Sequence, residues 1–91
     1  MGHSPQELPE SEVNELVESG KALILYNDDY NTFDHVINCL VEICGHDGIQ
    51  AEQCAFITHH KGKCDVKKGS FKVLGLMRQA LLDRGLQVTI D

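Results

Sequence analysis

One short apolar run constrains this chain more than any other feature. Ala22-Leu23-Ile24-Leu25-Tyr26 has no polar interruption, the pattern of a buried strand, and it runs directly into Asn27-Asp28-Asp29-Tyr30. The strand must end where the acidic residues begin, so one amide and two carboxylates are delivered to a short loop, the usual place for a scaffold to present chemistry. No lysine, arginine or histidine stands between Lys21 and His35. Such a cluster suits a positive, hydrogen-donating ligand such as an ammonium group. The same residues also suit a purely structural turn, because Asn and Asp side chains bond their own backbone.

The remaining composition sets limits. With 91 residues there is room for one domain and one modest core. A net charge of −6 opposes nucleic acid binding, which needs clustered lysine and arginine, and favours a basic or cationic partner. No apolar run approaches the roughly 18 residues of a membrane span, so no membrane partner is expected. Met1-Gly2-His3-Ser4 lacks the charged and apolar regions of a secretory signal, and a cytoplasmic location with reduced thiols is expected. Cys39, Cys44, Cys54 and Cys64 are spaced five, ten and ten residues apart and form no C-x2-C pair. Even with His59 and His60 near Cys54, they read as buried free thiols, and neither metal nor cofactor is expected.

The elements follow in order. Residues 1–20 contain both prolines together with Glu7, Glu10, Glu12, Glu15 and Glu18. Leu8, Val13, Leu16 and Val17 share a short helical face, but the acidity outweighs it, and a mobile N-terminal extension is expected ahead of a core domain over residues 21–91. Strand one spans Lys21–Tyr26. A first helix is capped by Thr32 and stopped by Gly45, with Phe33, Val36, Ile37, Leu40 and Cys44 on its core side. A second begins at Asp47, with Gln50 placed as in a capping box, carries Ile49, Ala55, Phe56 and Ile57, and closes at Gly62. His59 and His60 fall in its last turn, where the negative helix end favours imidazole. Lys63 to Lys67 alternates poorly and reads as a short edge strand. Ser70 caps a third helix bearing Phe71, Val73, Leu74, Leu76, Met77, Ala80 and Leu81, in which Gly75 implies close packing against a neighbour. Gly85 stops it, and Leu86-Gln87-Val88-Thr89-Ile90 alternates as a last strand with Leu86, Val88 and Ile90 inward. The order β-α-α-β-α-β predicts a small α/β (α+β) sandwich, a three-stranded antiparallel sheet covered by three helices.

The stretch Leu25-Tyr26-Asn27-Asp28-Asp29-Tyr30, with Phe33, Val36 and Leu40 after it and His59 followed by Gly62 later, resembles the ClpS adaptor proteins. The resemblance runs from Lys21 onward. It implies a non-enzymatic adaptor of the bacterial N-end rule. Such a protein binds N-degron substrates by a bulky first residue (Leu, Phe, Tyr or Trp) and delivers them to a Clp family AAA+ unfoldase, ClpA- or ClpC-like, for degradation. By resemblance, Asn27, Asp28 and His59 hold the substrate's α-amino group. Asn31, Phe33, Val36, Ala55, Thr58 and Leu86 line its side-chain pocket, with Phe33 at the place of a gating residue, often Met, and Ala55 where a larger side chain is common. Asp29 is expected to order the loop. Plain core packing remains the alternative role for the lining residues, Val36 and Leu86 above all.

Two departures stand out. The region Lys63–Ser70 is shorter than usual, and Lys72 survives from the surface that contacts the Clp ATPase while Ser70 and Phe71 replace its acidic residues. The N-terminal extension also lacks the family's basic-aromatic lead. A small protein-interaction domain of the same fold with another peptide ligand is the alternative function. A Cys/His hydrolase using Cys54 or Cys64 with His59 lacks an oxyanion site, and the acidic loop opposes a thiolate.

Overall fold

The computed structural model describes residues 20–91, so the expected extension over residues 1–20 lies, Gly20 apart, outside the described residues. The element order is β1 (Lys21–Tyr26), α1 (Phe33–Cys44), α2 (Gly48–Lys61), β2 (Lys63–Gly69), α3 (Phe71–Asp83) and β3 (Gln87–Ile90). β1 lies at the centre of an antiparallel sheet of order β2-β1-β3. Its apolar run is thereby explained: Leu23, Ile24 and Leu25 are all buried. Leu25 sits opposite Val88, and Leu23 opposite Ile90. Leu23, Leu25 and Val88 pack with Leu40, Ala51, Leu74 and Leu81 from the helices, forming one core between helices and sheet.

Local chemistry sets the helix ends. Thr32, Asp47 and Ser70 each accept a hydrogen bond from the backbone N–H three residues on, at His35, Gln50 and Val73. Gly45 and Gly62 close α1 and α2 with φ of 70° and 91°, a left-handed conformation that costs a glycine little.

Three features differ from the sequence reading. β2 extends to Gly69 rather than stopping near Lys67, because its pairing slips: Leu23 faces Lys67 whereas Ile24 faces Asp65. Val66 is the extra, bulged residue, which destroys the alternation along the strand. Its carbonyl is taken by the buried His46, whose Nε2 lies 2.6 Å away. Gly75 is not a contact point, since a Cβ built there meets nothing within 4 Å. Of the four apolar residues expected to characterise α2, Ile49, Ala55, Phe56 and Ile57, only Ala55 is buried. Ile49, Phe56 and Ile57 are exposed, and the helix faces the core through Ala51, Cys54, Ala55 and Thr58.

No helix among the described residues is long and apolar enough to cross a membrane.

Candidate functional site: a rimmed apolar cavity

The end of β1 is fixed against the end of α2. Asn27 donates its backbone N–H to Gly62 O at 2.9 Å, so the left-handed turn that stops α2 also receives the strand. That bond brings the Asn27-Asp28 loop beside His59 in the last turn of α2.

Asp28 then folds the loop. Its Oδ1 accepts from the backbone N–H groups of Tyr30 and Asn31, both at 2.8 Å, and its Oδ2 accepts from the Asn31 side chain at 2.6 Å. Partial burial tends to raise the Asp28 pKa. The bonds from Asn31 and Tyr30 and the positive field of His35 outweigh that, and hold it below its ordinary value. The loop-ordering role expected of Asp29 thus belongs to Asp28, while Asp29 stands exposed on the rim.

The far wall is secured by the turn after α3. Asn31 Nδ2 also donates to Gly85 O at 2.9 Å, and His35 Nε2 lies 2.9 Å from Arg84 O. These bonds hold the chain where Leu86 enters the core, 1% exposed.

Between these parts lies a cavity of about 410 Å³, within the usual range for a ligand site. Asn27, Asp28 and His59 line it beside Asn31, Phe33, Val36, Ala55, Thr58 and Leu86. All nine residues named from the sequence for amine and side-chain contacts therefore meet at one place. Leu25, Tyr26 and Asp29 also line it; the first two could have been read from their place at the end of the strand. No lysine or arginine is among the lining residues. Thr58 spends its hydroxyl proton on Cys54 O at 2.8 Å, which leaves oxygen lone pairs on that wall. Phe33, 41% exposed, stands at the cavity mouth.

The two adjacent histidines separate. His59 lines the cavity, whereas His60 turns to Phe56, with ring centroids 4.1 Å apart. Lys72, expected on a partner surface, is exposed in the first turn of α3 next to the half-exposed Phe71.

The cysteines are free. Burial pushes the Cys44 thiol up to about 11, and burial with the neighbouring Cys54 pushes Cys64 up to about 12. Thiols held protonated are poor nucleophiles. Among the described residues no group of three His, Cys, Asp or Glu is placed to hold a metal ion.

The pattern of the family described as "ATP-dependent Clp protease adaptor protein ClpS" matches residues 19–89. Among solved structures, Agrobacterium tumefaciens ClpS2 bound to L-phenylalaninamide is similar with a TM-score of 0.75 and 18% identity, covering 78% of this chain and 93% of that one. At that identity the likeness is one of fold. A search of curated proteins finds no match.

Proposed function

This chain belongs to the ClpS family, adaptors of the ATP-dependent Clp protease, and from that premise we propose that it captures proteins by a bulky apolar first residue and its free α-amino group. The observation that carries this reading is an apolar cavity rimmed on one side by Asn27, Asp28 and His59, without a cation in its lining. An α-ammonium brings three N–H donors and a positive charge. Asn27 offers an amide oxygen, His59 a ring nitrogen, and Asp28 a carboxylate already oriented by three N–H donors. A carboxylate has about four acceptor sites, so one remains for the ligand. The first side chain, Leu, Phe, Tyr or Trp, enters between Val36, Ala55, Thr58 and Leu86. Phe33 at the mouth screens side chains branched at Cβ. L-phenylalaninamide, the ligand of the similar Agrobacterium protein, is chemically the start of such a peptide: a free amine, a benzyl group and an amide in place of the carboxylate.

In this reading the protein works in the cytoplasm without catalysing a reaction. Lys72 and the exposed Phe71 contact the Clp family AAA+ unfoldase, ClpA- or ClpC-like, that receives the substrate.

The test is a binding titration with short peptides. Peptides that begin with Phe or Leu bind, and acetylating their amine weakens binding at least about 100-fold, because several charge-assisted bonds are lost at roughly 1.5–3 kcal/mol each. His59→Ala costs about tenfold or more, while His60→Ala changes affinity less than about twofold. Acetylated peptide binding as well as the free amine would sink the reading.

A further inference from the structure

Charge is divided unevenly along this chain. Residues 1–20 hold Glu7, Glu10, Glu12, Glu15 and Glu18, five of its 14 acidic residues, and none of its eight lysines and arginines. From Lys21 onward nine acidic residues face eight basic ones, so almost the whole net charge of −6 belongs to residues 1–20. The surface where those residues join the domain has the opposite sign. At the start of β1, Lys21 pairs with Gly69 and Ala22 with Lys68. Ser70 follows Gly69, and Phe71 and Lys72 open α3 immediately after it. Lys21, Lys68 and Lys72 are exposed around this corner. Arg78 reaches back over the Phe71 ring, 5.9 Å from its centroid. Four of the eight basic residues of the chain are thus gathered here. Apolar surface is interleaved with them: Phe71 is 48% exposed, and Leu76, four residues after Lys72 on the same side of α3, is 74% exposed. Asp91 meets Ala22 from the β3 side, across β1 from Lys68.

We propose that this corner is the docking surface for the chain's own residues 12–18, with their carboxylates facing Lys68, Lys72 and Arg78 and with Leu16 and Val17 against Phe71 and Leu76. Charge and reach select this occupant. Glu15 and Glu12 stand five and eight residues before Gly20, and extend at most about 18 and 28 Å from it. Lys72 is only three residues beyond Gly69, the partner of Lys21. A segment tethered beside its site has a high effective concentration there, so surface ion pairs that are individually weak suffice. Phe71 and Lys72 are read above as the contact with the unfoldase, so the docked segment covers that contact and must leave before the unfoldase binds. This consequence rests on that earlier reading; the docking does not.

The experiment compares backbone amide NMR spectra of the full chain and of its variant Glu12→Gln, Glu15→Gln at low ionic strength, where surface charges are least screened. The amides of Lys68, Phe71, Lys72 and Leu76 shift, although the altered residues stand at least six positions ahead of Lys21. With Lys68→Gln, Lys72→Gln already in place, the same two glutamate substitutions leave Phe71 and Leu76 unmoved, the non-additivity expected of groups in contact. No shift at the four amides in the first variant overturns the docking. So do shifts confined to another part of the domain, or shifts that persist undiminished once the two lysines are replaced. Shifts that vanish on about tenfold dilution assign the corner to the same segment of a second copy and overturn docking within one chain. Capture of a peptide's first residue stands or falls separately, because none of these residues lines its cavity: a peptide beginning with Phe binds both variants as it binds the unaltered chain.

Discussion

Asp28 lines the cavity and folds the loop beside it with one carboxylate, which accepts three hydrogen bonds. The loop bonds run to Tyr30 N–H, Asn31 N–H and the Asn31 amide, so the same ionised group that would grip an ammonium also keeps the rim in place. Its pKa lies below the ordinary 3.8 when folded. A carboxyl depressed in this way contributes stability above its unfolded pKa, and the contribution disappears as pH falls through the lower folded value. Asp28→Asn removes the charge and sets an amide NH2 or a weaker acceptor against Asn31 Nδ2. It should cost on the order of 1 kcal/mol at neutral pH. The gap from the unaltered protein should narrow from about pH 4 downward, as measured by urea unfolding at a series of pH values. A gap unchanged down to pH 2 would mean that the charge is not its source.

At the scale of elements, what could be read from the sequence and what could not divide along physical lines. Helix ends were readable because capping is local: Thr32, Asp47 and Ser70 each act on an N–H three residues away. The length of β2 was not, because a bulge is decided by pairing across the sheet, and Val66 leaves the alternation only when β1 slips from Lys67 to Asp65. His46 answers that bulge. Its Nε2 meets the Val66 carbonyl, while its Nδ1 is buried without a hydrogen-bond partner among the described residues. His46→Ala strands a buried carbonyl and opens a void, and should destabilise by about 2–4 kcal/mol in denaturant unfolding. The exposed His60→Ala should stay within about 0.5 kcal/mol. Gly75 was misread for a related reason. A glycine within a helix is consistent with close approach, but only the packed structure says whether a neighbour is there, and at Gly75 the space is open. Gly75→Ala should therefore stabilise by roughly 0.5–1 kcal/mol, through helix propensity and a less flexible unfolded chain. A loss of stability on thermal or urea unfolding would show that the helix needs the glycine after all.

Over the whole molecule, the cavity has no element of its own. Leu25 and Tyr26 come from β1, Asn27, Asp28, Asp29 and Asn31 from the following loop, Phe33 and Val36 from α1, Ala55, Thr58 and His59 from α2, and Leu86 from the entry to β3. The apolar run and the acidic residues that follow it were enough to single out the loop, whereas His59 by itself read only as a favourable helix end. Gathering the other wall residues into one site required a family resemblance, since nothing in local spacing brings Leu86 to Phe33. The dispersal has a thermodynamic consequence. A cavity built from four elements around a common core does not survive unfolding, so a peptide held there binds the folded state alone. At a free concentration of 100 times Kd such a ligand adds about 2.7 kcal/mol of stability. In a domain of this size each kcal/mol moves Tm by about 4–8 °C, so a peptide beginning with Phe should raise Tm by roughly 10–20 °C. The same peptide with its amine acetylated, at the same concentration, should leave Tm where it was. Scanning calorimetry with the two peptides in parallel reads the difference directly. Equal shifts from both would mean that the ligand is held by its side chain alone, with Asn27, Asp28 and His59 serving only to order the loop.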